Sequence, residues 1–281
     1  MVNIFDKKLD APTKEEAQAY ASSFLKTYGG IFVYIPQTGE TNMINHLHAT
    51  AKNNVFMLGL TEFWRRHLER LVSRRPLNEG QVSSVDYLKE VFGEGEFNRV
   101  FKFAFVRNPW SRYVANWKYL SHVSAPTGRT WKDRGYSDDA GKVSFESFVK
   151  QTEKRLLGHE VYPPSYDLIV EDTAMYAGMK VDEYFLRSQK SHIVNSSGDV
   201  AVDFVGKFET LQKDYEYVCK QLSIAPQTIP ADTGMADFND HYSHYYTPEL
   251  VETVKTLCKA DIDYFKYEFD DRAGILPKKK K

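Results

Sequence analysis

Gly30-Ile31-Phe32-Val33-Tyr34-Ile35-Pro36-Gln37-Thr38-Gly39-Glu40-Thr41-Asn42-Met43-Ile44 decides how the rest of the chain is read. Ile31, Phe32, Val33 and Ile35 are β-branched or aromatic, as in a strand buried on both faces. Pro36 ends that strand because it cannot donate to a sheet ladder. Thr38, Gly39, Thr41 and Asn42 then bring small side chains, hydroxyls and backbone N–H groups to the point where a helix begins. In a strand–loop–helix corner the unpaired N–H groups and the positive helix end both face the loop, so the segment predicts an anion cradle for a phosphate. A plain tight turn capped by Thr38 or Thr41 has the same local sequence.

Working outward, Phe101-Lys102-Phe103-Ala104-Phe105-Val106-Arg107-Asn108-Pro109-Trp110-Ser111-Arg112 repeats the design. An apolar strand runs into a polar turn, and Pro109 suits the first position of a helix that carries Trp110, Val114, Trp117 and Leu120 inward. Arg107 falls at the carboxyl end of the strand, where open α/β sheets bind ligands. A guanidinium there suits a phosphate through paired hydrogen bonds; the alternative is a simple ion pair with a surface carboxylate.

Between and around these corners the pattern alternates. Thr13-Lys14-Glu15-Glu16 is a capping box that predicts a helix over 13–27. Met43, Ile44 and Leu47 continue the loop into a helix to about Ala51, and residues 55–58 form a short strand. From Thr61 an amphipathic helix sets Phe63, Trp64, His67, Leu68 and Leu71 against a stripe of Arg66, Arg70 and Arg74, read as a solvated face or as a docking surface for an acidic acceptor. A short helix is expected over 85–92, ended by Gly93. Residues 123–143 lack apolar periodicity, as in a lid or binding loop. Ser144 opens another helix, and 156–195 supports no assignment. Residues 202–208 read as a strand, Thr210 caps a helix bearing Leu211, Tyr215, Val218 and Leu222, and Thr247-Pro248-Glu249 starts another with Leu250, Val254, Leu257 and Cys258 buried. The expectation is one α/β domain over 1–281, with a core at about 30–270 and a solvated tail at 278–281.

Composition agrees with a globular chain. Of 281 residues 42% are hydrophobic, with 18 Phe and 18 Tyr, enough for a core. The net charge of −1 gives no general pull toward nucleic acid or anionic membranes, so an anionic ligand needs a local basic cluster. Cys219 and Cys258, the two cysteines, fit buried free thiols better than a disulfide framework or a zinc site. With no signal-peptide pattern and no long apolar run, the expected protein is cytoplasmic, without a membrane or nucleic-acid partner.

Taken together, the two corners resemble the nucleotide motifs of sulfotransferases that use PAPS (3′-phosphoadenosine 5′-phosphosulfate), specifically the Golgi carbohydrate enzymes and their bacterial and phage relatives. The opening loop is similar to that family's 5′-phosphosulfate loop, I-P-K-T-G-G-T-S, and residues 101–119 to its 3′-phosphate motif, F-x-F-V-R-N-P-W-D-R-x-V-S-x-Y. Val202-Asp203-Phe204-Val205-Gly206-Lys207-Phe208-Glu209-Thr210-Leu211 is similar to V-D-F-I-G-R-F-E-N-L. His241-Tyr242-Ser243-His244-Tyr245-Tyr246-Thr247 and Asp261-Ile262-Asp263-Tyr264-Phe265-Lys266-Tyr267-Glu268-Phe269 match its ending. The resemblance implies a single P-loop-like three-layer α/β domain, with a largely parallel sheet flanked by helices. It implies transfer of a sulfuryl group from PAPS to a hydroxyl or amine of a carbohydrate or other small hydroxylated acceptor, leaving PAP, with no metal. Gln37, Thr38, Gly39, Glu40, Thr41 and Asn42 would then hold the 5′-phosphosulfate, and Arg107 the 3′-phosphate.

The departures are specific. The family's loop lysine is Gln37 here, a hydrogen-bond donor without charge. Glu40 stands for a glycine and has to point away from the anion or be paired. The serine that assists the 3′-phosphate arginine aligns with Ala115, leaving Ser111 or Asn116 to substitute. Lys52 is a conceivable replacement for the lysine. A histidine of related enzymes aligns with Val82, so His48 and Glu62 become the candidate acceptor bases. These changes also motivate an alternative, a catalytically impaired protein of the same fold that binds PAPS, PAP or a glycan. A magnesium-dependent kinase is disfavoured, because no G-x-x-x-x-G-K-[ST] occurs.

Overall fold

The computed structural model describes residues 29–50, 55–58, 85, 89, 94–122, 143–156, 186, 188–195, 197–230 and 240–277. The helix expected over 13–27, the arginine-striped helix from Thr61, the loop to residue 142 and the tail at 278–281 lie outside them, as do Lys52, Glu62 and Val82. Within 85–92, the described residues Val85 and Lys89 are helical.

Four parallel strands form the sheet: β1 (Gly30–Val33), β2 (Val55–Leu58), β3 (Phe101–Val106) and β4 (Phe204–Lys207), in the order β2-β1-β3-β4. Gly30 is aligned with Val55 on one side and Phe101 on the other, and Phe103 with Phe204. The strand expected over 202–208 is shorter at both ends, and β1 stops at Val33, ahead of the proline. The described helices are α1 (Glu40–Thr50), α2 (Glu94–Arg99), α3 (Pro109–His122), α4 (Phe145–Leu156), α5 (Lys190–Ile193), α6 (Leu211–Gln221), α7 (Pro248–Leu257) and α8 (Lys259–Phe265). The short α2 begins one residue after Gly93, which by residue type reads as a terminator rather than a start.

Alternation along the strands divides the core into two layers. Phe32, Phe103 and Phe105 pack with Met43 and Leu47 of α1 and with Leu211, Tyr215 and Val218 of α6. Ile31, Val33, Ala104 and Val106 point to the opposite face, against Trp110 and Val114 of α3, Phe148 of α4 and Leu250 and Val254 of α7. The Phe32 and Phe103 rings stack with centroids 5.1 Å apart, so neighbouring strands share aromatic as well as backbone contacts. Lys102 is tolerated inside β3 because its ammonium donates to the carbonyls of Phe97 and Val100 and lies 2.8 Å from Asp203. Cys219 and Cys258 are buried free thiols.

Helix starts follow local chemistry. Pro109 begins α3, and Asn108 Oδ1 accepts the N–H groups of Trp110 and Ser111. Ser144 accepts from Ser147 N–H at the start of α4, and Thr247 from Leu250 N–H ahead of Pro248. Thr210 does not cap α6. A 3₁₀ turn (Phe208–Thr210) precedes that helix, and the Thr210 hydroxyl donates instead to Asp214, whose carboxylate also receives the Lys207 N–H.

The order β2-β1-β3-β4 places the site. The chain leaves β1 toward β2 on one side and returns to β3 on the other, so the crevice between the carboxyl ends of β1 and β3 is the topological switch point. The opening loop and Arg107 leave the sheet at those two ends.

Candidate functional site

The loop after β1 is tightly wound. Gln37 has φ 65° and Gly39 φ 86°, both left-handed, the first an uncommon state for a residue with a side chain. A Cβ on Gly39 would come within 2.7 Å of the Phe208 ring, so this position needs glycine for space as well as for φ. The Thr38 hydroxyl donates to the Ile35 carbonyl, inside the turn. Asn42 donates through its side-chain amide to Pro230 O. Thr41 and His48 belong to α1, their side chains outside the described set.

Glu40 resolves the question its charge raises. It does not point away. The buried carboxylate folds back over the loop, where Oε1 accepts from Gln37 N–H at 3.0 Å and from the Tyr34 hydroxyl at 3.1 Å, and Oε2 accepts from Thr38 N–H at 2.8 Å. The loop therefore already holds an anion, its own. The Gln37 and Thr38 N–H donors thus converge on one acidic group.

Opposite this loop, Arg107 is fixed from several directions. Its Nε donates to Ser111 Oγ at 2.8 Å, its guanidinium carbon lies 3.9 Å from the centroid of the Phe208 ring, and a terminal nitrogen donates to Gln37 O at 3.4 Å. Its main chain is clamped by the fully buried Gln189, which accepts the Arg107 N–H and donates to the Arg107 carbonyl, both at 2.8 Å. Gln189 is anchored in turn by Asp261 on α8. That buried carboxylate accepts from Ser188 Oγ and from the N–H groups of Gln189 and Lys190. Burial pushes the Arg107 pKa down to about 10, against the upward pull of Glu209 and Glu40, so the side chain is a cation at neutral pH.

Three further groups complete the frame. Glu209 accepts Asn108 N–H at 2.7 Å and the Tyr267 hydroxyl at 3.1 Å, which locks the residue after Arg107. The buried Arg112 donates from Nε to Pro36 O at 2.9 Å, tying α3 beneath the loop. Lys118, two turns beyond Ser111, holds its ammonium 4.7 Å over the Tyr245 ring; burial and the Arg107 charge push its pKa down.

Of the expected residues, the structure brings Gln37, Thr38, Gly39, Glu40, Arg107 and Ser111 to one crevice. Ser111 is the hydroxyl that reaches Arg107, while Ala115 is buried on α3. Gln189 and Lys118 escape sequence reasoning, and Phe208 and Asp261, though inside the segments that carry the resemblance, have no site role there. Gln189 sits in a stretch with no periodicity to flag it, whereas the spacing of seven from Ser111 could have pointed to Lys118.

The class these features define is an α/β protein with a parallel sheet, whose wound loop and fixed guanidinium meet at the switch point. A model described as Sulfotransferase family matches residues 24–268, and the chain belongs to that family. Membership of that family supports sulfuryl transfer in general as its chemistry. Comparison with curated proteins gives no match.

Proposed function

We propose that the protein is a PAPS-dependent sulfotransferase acting on a hydroxyl or amine of a carbohydrate or other small acceptor. One observation carries this reading: Arg107 and the Gln37 loop meet at the switch point, with guanidinium and loop carbonyl 3.4 Å apart. Anionic groups at both the 3′ and the 5′ position of one nucleoside, as PAPS and PAP have, suit the guanidinium and the loop together; ATP carries its phosphates at the 5′ position alone. On this reading Arg107, steadied by Ser111 and Phe208, takes the 3′-phosphate. The N–H groups from Gln37 to Asn42, with the Thr41 hydroxyl, take the 5′-phosphosulfate.

In the reaction the acceptor oxygen or nitrogen forms a bond to sulfur while the bridging S–O bond breaks. The electron pair leaves on the 5′-phosphate of PAP, and the acceptor proton passes to a base, for which His48 on α1 is the candidate. The protein's contribution is to align the groups and stabilise charge on the leaving oxygen. Gln37 supplies a neutral donor to that oxygen. The loss of a charged contact costs roughly 3 kcal/mol of barrier, by analogy with oxyanion-hole donors. A second reading, a PAP-binding protein of the same fold without turnover, is favoured by Gln37 together with the Glu40 carboxylate in the loop.

Incubation with labelled PAPS and a panel of sugars and small alcohols separates the two. Transfer by the wild type, raised in Gln37→Lys, is the expected result. Binding of PAP with no transfer by either protein establishes the second reading.

A further inference from the structure

We infer that Glu40 is a built-in competitor for the 5′ group of the nucleotide and sets the minimum charge that this group must carry. The inference rests on the donor-site reading above. Its basis is that the Glu40 carboxylate occupies two N–H groups, of Gln37 and Thr38, which the donor-site reading assigns to the 5′-phosphate.

The geometry is that of an occupied anion site. Both carboxylate oxygens are engaged, one doubly, at 2.8–3.1 Å, and the side chain is buried. Glu40 is the first residue of α1, where a negative charge also meets the positive end of the helix. The contact therefore holds the loop in its wound form, with Gln37 and Gly39 left-handed, before a nucleotide arrives. A backbone N–H pair cannot serve two anions at full strength, and two negative groups within hydrogen-bond distance of the same donors repel strongly in a site of low dielectric. The incoming group must displace the side chain. A 5′-phosphate or phosphosulfate carries charge enough to do so; a 5′-hydroxyl gains nothing by it. Arg107 and Arg112 both lie within electrostatic reach of Glu40, so a displaced carboxylate stays in a positive field.

Calorimetric titration with PAP and with adenosine 3′-monophosphate tests this on wild type, Glu40→Ala and the isosteric Glu40→Gln. Glu40→Ala should bind PAP about tenfold more tightly than wild type, and Glu40→Gln should shift the same way by less. Adenosine 3′-monophosphate, which has no 5′-phosphate, should bind all three within about twofold. PAP affinity that is unchanged or weaker in both variants, with the monophosphate unaffected, overturns the inference and makes Glu40 an organiser of the loop. If Glu40→Ala unfolds, as a thermal melt would show, Glu40→Gln decides alone by the same criterion. Failure of wild type and variants to bind either nucleotide removes the donor-site reading and this inference with it.

Discussion

The two corners of the sheet share one architecture and use it in opposite ways. At the end of β1 the loop offers backbone N–H groups and has closed them on its own carboxylate, Glu40. At the end of β3 the group proposed to bind is a side chain, Arg107, whose position is fixed by its neighbours. Gln189 clamps its main chain, while Ser111 and Phe208 hold its guanidinium. One corner must rearrange and the other is preorganised. Binding free energy should therefore be drawn mainly from the β3 corner, since preorganised donors lose little on association.

That contrast is broken most directly at Arg107. Arg107→Ala should lose about 100-fold in PAP affinity by calorimetry, roughly 3 kcal/mol, because a charge-assisted contact disappears and Gln37 O loses its donor. A loss under threefold would move the weight to the loop. Next in size is Gln189→Leu, which leaves the N–H and carbonyl of Arg107 facing an apolar side chain. Urea unfolding should show a cost of roughly 2 kcal/mol, accompanied by weaker PAP binding. Unchanged stability would mean that the clamp is not a source of rigidity.

Gly39→Ala couples the corners. The new Cβ needs the room now filled by Phe208, the ring beneath Arg107, and alanine disfavours φ 86°. A cost of roughly 1–2 kcal/mol in stability is expected, with PAP affinity falling as well. If only stability changes, Phe208 is not what steadies the guanidinium.

The smallest effect belongs to the layer behind the loop. His46 on α1 shares a 2.6 Å hydrogen bond with Tyr215, and burial lowers its pKa below the ordinary 6.5. The unfolded chain then binds the proton more readily than the folded one. Its contribution to stability is whole above pH 6.5 and is lost as pH falls through the depressed folded value. His46→Phe should flatten the stability–pH curve between pH 6.5 and that value, as followed by urea midpoints. An unaltered slope would assign the acid sensitivity elsewhere.

The fold was largely legible because its strands are continuous apolar runs and its helix starts carry conventional signals, Pro109 and Thr247-Pro248 among them. The corners were legible for the same reason: strand, turn and helix are contiguous in sequence. What sequence could not show is contact across distance. Gln189 reaches Arg107 from a segment 82 residues away, and Asp261 anchors Gln189 from 72 residues further on, with no periodic pattern to announce either contact. Thr210 looked like a helix cap because residue type does not reveal that a 3₁₀ turn intervenes. Glu40 looked like a misplaced charge; only the fold of the loop turns it into the loop's own ligand.

The most direct test of a single site built from both corners is the nucleotide preference of the unaltered protein. In calorimetry PAP should bind at least about tenfold more tightly than ADP, since ADP can engage the loop but brings no 3′-phosphate to Arg107. ADP binding as tightly as PAP, or no binding of PAP at all, would contradict the account.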